Sequence, residues 1–250
     1  MKKTIILISG KTQSGKNIFA DFLQKKLEKL NLKVKQDFFA KELKDICKND
    51  FKKLSIVLDN IAEEIKANVL VFSDIRQEML DPSIIKSVEN IINKLKIKDD
   101  DWYNKKTMIT RTILQLVGTD IIKKRVDNNW WVNQVKSRAI ASESDVILIT
   151  DCRFPNEITE MFDENYETIV IRIARNINTQ EQIASHQSET ALDDWKVWNY
   201  IVENNGTLEN LQTSALTIIN DLTEKKEYDC DGLFTGLKKE ELQNLSKIYA

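Results

Sequence analysis

The residues Gly10-Lys11-Thr12-Gln13-Ser14-Gly15-Lys16 place glycine, hydroxyl and lysine side chains in a G-x4-G-K spacing. Two glycines let the backbone wrap with its N–H groups pointing inward, and a lysine just after the second can reach the outer oxygens of a bound polyphosphate. Gly10, Thr12, Ser14, Gly15, Lys16, Asn17 and Ile18 are therefore the candidate contacts to a nucleotide phosphate chain, with Lys16 the candidate catalytic cation. The pattern normally continues with Ser or Thr, whose hydroxyl binds magnesium. Here Asn17 and Ile18 follow, so either the metal is held through water or the Asn17 amide, or the loop is a weak or inactive binder.

A second set is Asp151, Arg153 and Glu157, directly after the apolar run Val146-Ile147-Leu148-Ile149. A carboxylate at the C-terminal end of a buried parallel strand can organise magnesium or a substrate. Asp151 is thus a candidate catalytic and metal-binding residue, although the same position also suits a helix N-cap. Glu157, in the first turn of a helix expected over 155–164, could point back beside Asp151.

A third set is Arg111, Gln115 and Gly118, spaced four and three residues apart and so on one helical face, with Thr119, Asp120, Trp130 and Trp131 beyond. Arginine offers a planar fork to a phosphate, and glutamine or tryptophan can bond to or stack on a base. An arginine paired with an acid over core tryptophans fits the same pattern.

These residues need a rigid frame. Short apolar runs at 4–9, 146–150, 168–174 and 200–202 read as strands, a further strand is expected over 32–39, and Ile18, Phe19, Phe22, Leu23, Leu27 and Leu30 recur at helical steps after the glycine loop. Helical patterns also cover 108–126, 129–142, 155–164 and 207–222. Strands alternating with helices read as α/β with a central parallel sheet. The Lys-, Asp- and Asn-rich stretch 40–107 reads as a helical insertion between the core segments 1–39 and 108–222, and 223–250 as a C-terminal appendage.

The 250 residues suffice for a substantial core. Lys and Arg total 37 against 39 Asp and Glu, so no global field draws in nucleic acid or an acidic membrane, and any anion site must be local. Three cysteines and one histidine are too few for a disulfide framework or a zinc cluster. The N-terminal apolar run is too short for a signal-peptide core, and no run approaches a membrane span. A soluble, cytoplasmic protein is expected.

Together these pieces resemble the deoxynucleoside monophosphate kinases of bacteriophages and related viruses, within the P-loop nucleoside monophosphate kinase group. The resemblance rests on Gly10–Lys16 with Ala20-Asp21, Phe39-Ala40 with Leu43-Lys44, Arg111-x3-Gln115-x2-Gly118-Thr119-Asp120 with Trp131, Asp151-x-Arg153-x3-Glu157, and His186-x-Ser188-Glu189. It implies a three-layer P-loop kinase fold in which 40–107 is the monophosphate-binding insertion and 175–190 a lid. It implies ATP and Mg2+ as cofactors and a deoxynucleoside monophosphate as the small-molecule partner, in the cytoplasm of a host if the protein is viral. Lys16 would hold ATP phosphates, Leu43 and Lys44 would lie at the nucleotide site, and Arg111, Gly118 and Trp131 would bind the acceptor. Gln115 and Thr119 join that substrate set, and Asp151, Arg153 and Glu157 would line the site. Arg175 is the candidate lid arginine, preferred to Arg172, which sits within a strand, and His186 is expected to make a lid hydrogen bond.

Transfer between phosphates needs no general base, because the acceptor oxygen is already ionised at neutral pH; catalysis is expected from positioning and from charge neutralisation by Lys16, Arg111, Arg175 and magnesium. Two alternatives stay open: a P-loop kinase for another small phosphorylated acceptor, such as dephospho-coenzyme A, and a non-catalytic nucleotide-binding module. A homodimer is compatible with either.

Overall fold

The computed structural model describes residues 2–49, 114, 116–123, 127–176 and 187–228. Arg111, Gln115, His186, most of the 40–107 stretch, the 177–186 part of the expected lid and 229–250 lie outside them.

Five strands, β1 (Lys3–Ser9), β2 (Val34–Asp37), β3 (Val146–Cys152), β4 (Tyr166–Ala174) and β5 (Tyr200–Glu203), form one parallel sheet in the order β2-β3-β1-β4-β5. β1 lies in the middle and is buried along almost its whole length, as a run of β-branched and apolar residues covered on both faces should be. β1 and β3 run in register from Thr4↔Val146 to Leu7↔Ile149, but Ser9 pairs with Cys152, so β3 carries one extra residue near its C-terminal end.

On one face of the sheet lie α1 (Lys16–Lys29) and the long α6 (Leu208–Tyr228). Phe19, Leu23 and Leu27 of α1 share a stripe at four-residue spacing, and they pack with Leu211, Ala215, Ile218, Ile219 and Leu222 of α6 against Ile6, Ile8, Leu148, Ile171 and Ile173. Phe19 and Leu23 are fully buried, each contributing about 2–3 kcal/mol of hydrophobic stabilisation. The helix α3 (Trp130–Ala141) ends where Lys3 Nζ donates to the carbonyls of Ala139 (2.5 Å) and Ser142 (2.6 Å), a cation satisfying orphan carbonyls at a helix C-terminus. The short helices α4 (Pro155–Thr159) and α5 (Gln187–Thr190) follow β3 and β4. Among the described residues, no helix is long and apolar enough to cross a membrane.

Several expected elements differ in extent. The helix expected over 207–222 runs on to Tyr228, past the start of the expected appendage, and β3 and β4 extend beyond the expected 146–150 and 168–174. The strand expected over 32–39 narrows to Val34–Asp37, because the N–H groups of Phe38 and Phe39 are taken by the carboxylates of Asp37 and Asp151, both at 2.8 Å, instead of by the ladder. The helix expected over 155–164 stops at Thr159. Asp163 accepts from Asn165 N–H at 3.1 Å in a side-chain-stabilised turn, and Thr168 Oγ1 bonds to the Met161 carbonyl at 2.7 Å, so the chain reverses into β4. Within 108–126, Leu116–Lys123 is a π-helix, whose wider i→i+5 turns keep a helical hydrophobic pattern over so short a stretch.

The chain divides into two compact units, Met1–Phe39 with Val132–Ala250, and Ala40–Trp131. The first carries the sheet; the second contains α2 (Lys41–Asn49) and the π-helix.

Candidate active site

The glycine loop joins the end of β1 to the start of α1. Gly15, the N-cap of α1, has φ 97°, a left-handed conformation that favours glycine. A Cβ on Gly10 would lie 2.6 Å from the Ile173 carbonyl oxygen, a backbone atom that cannot step aside. The loop thus lies directly on β4, and Asn204, just beyond β5, ties it from the other side by donating Nδ2–H to the Ser14 carbonyl at 2.8 Å. The N-terminus of α1 has neither a side-chain cap nor an acid in its first turn. Its positive end and N–H groups are left for an anion.

Lys16 is buried, with 9% of its surface exposed. Its Nζ donates to the carbonyls of Gly10 (2.7 Å) and Lys11 (2.8 Å). Burial first, and then the cations Arg153 and Arg172, lower its pKa to about 7, against the opposing pull of Glu189 and Asp151. Three cations and two carboxylates therefore feel one another around the loop.

Arg153 follows β3 and donates Nη1–H to the Gly10 carbonyl (3.1 Å) and to Glu189 Oε2 (3.0 Å). Arg172, opposite Ser9 in the β1–β4 register, donates to Ser9 Oγ (3.1 Å) and Asp193 Oδ1 (3.2 Å) and stacks 5.4 Å from the centre of the Trp198 ring. Burial and Arg153 together outweigh Asp193 and hold Arg172 below the ordinary guanidinium value. Asp193 also pairs with Lys11 at 2.8 Å. Arg175, exposed just after β4, donates to the Gln13 carbonyl at 3.2 Å.

Asp151 sits at the end of β3, where Oδ1 accepts from Phe39 N–H at 2.8 Å. Glu157 is buried, and its Oε2 accepts from the backbone N–H of Arg153 (2.6 Å) and Phe154 (3.0 Å). Its own N–H donates to the Phe154 carbonyl at 3.1 Å. Glu157 thus caps α4 and fixes the turn that carries Arg153. Asn17 and Ile18 are exposed in the first turn of α1.

In the second unit, Leu43, Gly118 and Trp131 come together. A Cβ on Gly118 would lie 2.7 Å from Leu43 Cδ2, and the Trp131 indole N–H donates to the Gly118 carbonyl at 2.9 Å. Leu43, Thr119 and Trp131 are buried, and Lys44, half-buried, has its N–H on the Ala40 carbonyl at 3.0 Å.

Sequence reading prefers Arg175 to Arg172 as the lid arginine because Arg172 sits within a strand. Its pairing with Ser9, the last residue of β1, brings it to the loop end of the sheet. Asp193 and Asn204 carried no motif. The one available signal for Asp193 was its position four residues after Glu189.

A parallel α/β sheet with a glycine loop between its central strand and a helix, ringed by cations, defines a P-loop phosphotransferase. The family model for deoxynucleotide monophosphate kinases matches residues 41–215, more than half of the chain, and the protein belongs to that family. A comparison with curated proteins gave no significant match. The match begins after the glycine loop, so the loop geometry and the family assignment are independent observations that agree. The chain is a kinase acting on deoxynucleoside monophosphates.

Proposed function

We propose that this kinase transfers the γ-phosphoryl group of ATP to the α-phosphate of a deoxynucleoside monophosphate, giving ADP and the diphosphate. The observation that carries the reading is the convergence of Lys16, Arg153 and Arg172 beside the uncapped N-terminus of α1. Packing like charges together is costly unless anions join them; Glu189 and Asp193 pair with the two arginines, Lys16 donates to loop carbonyls, and a triphosphate would supply further negative charge to all three.

In this reading the loop from Gly10 to Lys16, with Asn17 and Ile18, wraps the phosphates of ATP, and Lys16 exchanges its two loop carbonyls for phosphate oxygens. Arg153, Arg172 and Arg175 neutralise charge as it spreads over the transferred group. Leu43, Lys44, Arg111, Gln115, Gly118, Thr119 and Trp131 are assigned to the acceptor. The acceptor oxygen is ionised and attacks in line, so positioning and charge neutralisation suffice without a proton-abstracting residue.

The hard oxygen donors at the loop, the Asp151 carboxylate and the Asn17 amide, fit Mg2+, which binds few protein oxygens and keeps several waters. When bound, it neutralises phosphate charge. Asp151 would hold it directly or through water, and Asn17 through water or its amide oxygen. Balanced charge argues for a small acceptor rather than nucleic acid, and the enzyme is placed in the cytoplasm, that of a host cell if the protein is viral. A homodimer is a matter for sedimentation.

The test is ATP consumption by the purified protein with Mg2+ against dGMP, dTMP, dCMP, dAMP and their ribose counterparts. Turnover that requires an added dNMP is expected. ATP binding with no turnover on any nucleotide would overturn the reading.

A further inference from the structure

Glu189 belongs to the His186-x-Ser188-Glu189 stretch, and the reading above gives it no task. Its side chain is 17% exposed, and it makes three contacts. Oε1 accepts from Thr12 Oγ1 at 2.8 Å, while Oε2 accepts from Thr12 N–H at 3.0 Å and from Arg153 Nη1 at 3.0 Å. Arg153 Nη1 in turn reaches the Gly10 carbonyl. One carboxylate thus joins the loop after β1 to the turn after β3, two segments far apart in sequence.

A surface ion pair would explain little, since exposed pairs contribute almost nothing. This one is mostly buried, accepts a backbone N–H, and is shared by two partners. Burial works to raise the Glu189 carboxyl, but Arg153 and the two Thr12 donors outweigh it and keep it ionised. A negative group facing the phosphates would repel them, so its value must lie in what it holds. An arginine side chain has many rotamers, and an unheld guanidinium could still meet ATP but in the wrong orientation for the transferring group.

We propose that Glu189 is a positioning residue for phosphoryl transfer: it holds the Arg153 guanidinium against Gly10 and pins the loop at Thr12, so that both meet the phosphates in a preset orientation. This rests on the reading that Arg153 faces the nucleotide phosphates. Because ATP can recruit a loose arginine by charge alone, loss of Glu189 falls on turnover more than on binding.

The experiment compares Glu189→Gln in the wild-type and Arg153→Met backgrounds, with kcat, KM for ATP and melting temperature measured for each. In the wild-type background Glu189→Gln is expected to lower kcat about 30-fold or more, with KM for ATP changed less than about threefold. In the Arg153→Met background the same change should cost less than about threefold, because its partner has gone. The free protein supplies a second readout by NMR of the Arg153 side-chain nitrogens. Slow exchange in the wild type should give way to fast exchange in Glu189→Gln, while Arg172 is unaltered. Equal losses in both backgrounds, a loss explained by a lower melting temperature, or an unaltered Arg153 signal would each overturn the proposal. If the wild type phosphorylates no dNMP, the kinase reading fails by itself, and the Arg153 signal still decides whether Glu189 holds that side chain.

Discussion

Lys16 Nζ lies 2.7 Å from the Gly10 carbonyl oxygen, so the loop's own backbone holds the ammonium that is here proposed to meet phosphate. With burial lowering its pKa to about 7, the free enzyme loses the Lys16 charge as pH rises through that value. A bound triphosphate restores it. The kcat/KM for ATP should therefore fall as pH rises through about 7, while kcat, which reports the bound state, stays flatter. Lys16→Arg removes this inflection, because a guanidinium stays charged throughout. Stability carries the opposite sign. The unfolded lysine holds its proton up to about 10.4, so the cost of burying the charge is fully present below about pH 7 and is relieved progressively as pH rises from about 7 to about 10.4. Lys16→Met should melt higher than wild type at pH 6, with the gap closing by about pH 10.

Gly10→Ala sets a Cβ against the Ile173 carbonyl, which belongs to a central strand. The loop must move instead, and kcat/KM for ATP should fall about 100-fold or more while circular dichroism keeps the wild-type α/β signature. Wild-type kinetics in this variant would contradict the packing described for the loop.

Arg172 and Asp193 separate phosphate binding from surface pairing. Arg172→Met removes a charged donor from the loop end of the sheet and should raise KM for ATP about tenfold or more, the effect of losing one charged hydrogen bond. Asp193→Asn frees Lys11 and Arg172 from an acid that is 37% exposed. It should change stability by less than about 1 kcal/mol and leave KM for ATP unchanged or lower. Titration of both variants with ATP checks the contrast.

The helix α3 is fastened to β2 by Arg138, whose Nε and Nη2 donate to the two carboxylate oxygens of Asp37, each at 3.0 Å. Asp37 is only 2% exposed. Arg138→Met strands a buried carboxylate and should cost about 3 kcal/mol or more in urea unfolding. Arg138→Met with Asp37→Leu, which removes both charges, should recover much of that loss.

Magnesium dependence tests the donors at the loop. Chelation should abolish turnover, and Asp151→Asn should raise the Mg2+ concentration for half-maximal rate about tenfold or more. Asn17→Thr restores the hydroxyl that such loops normally carry and should lower that concentration. An unchanged Mg2+ requirement in both variants would remove these two residues from the metal site.

What the sequence disclosed followed the strength of the local signal. The strands β1, β3 and β4 were β-branched apolar runs, and such a run has few other places to go than a covered sheet; β2, Val-Lys-Gln-Asp, has one apolar residue and is placed by its pairing with β3. The glycine loop was legible because its spacing and its strand-to-helix context agree. The Asp163–Asn165 turn after α4 is local and was overridden by the apolar pattern running through it, whereas the end of β2 was set by a side-chain contact distant in sequence, Asp151 on Phe39 N–H, of which periodicity carries no trace. The same limit hid the tasks of Glu189 and Asp193. Their partners, Thr12, Lys11, Arg153 and Arg172, lie on three other segments. The π-helix stayed hidden because an apolar face fits either helical pitch over two turns.

The extra residue in β3 between Ile149 and Cys152 bears on how the gene can vary. Thr150 and Asp151 are both half-exposed, and Cys152 beyond them is buried, so the usual alternation of faces is interrupted at this point. Thr150 and Asp151 together oppose Ile8, and deleting one residue here would restore even pairing with β1 while Cys152 kept its place opposite Ser9. What would change is Asp151, which would be drawn into the ladder and away from the Phe39 N–H. A chain one residue shorter at this point would keep its sheet and lose its acid.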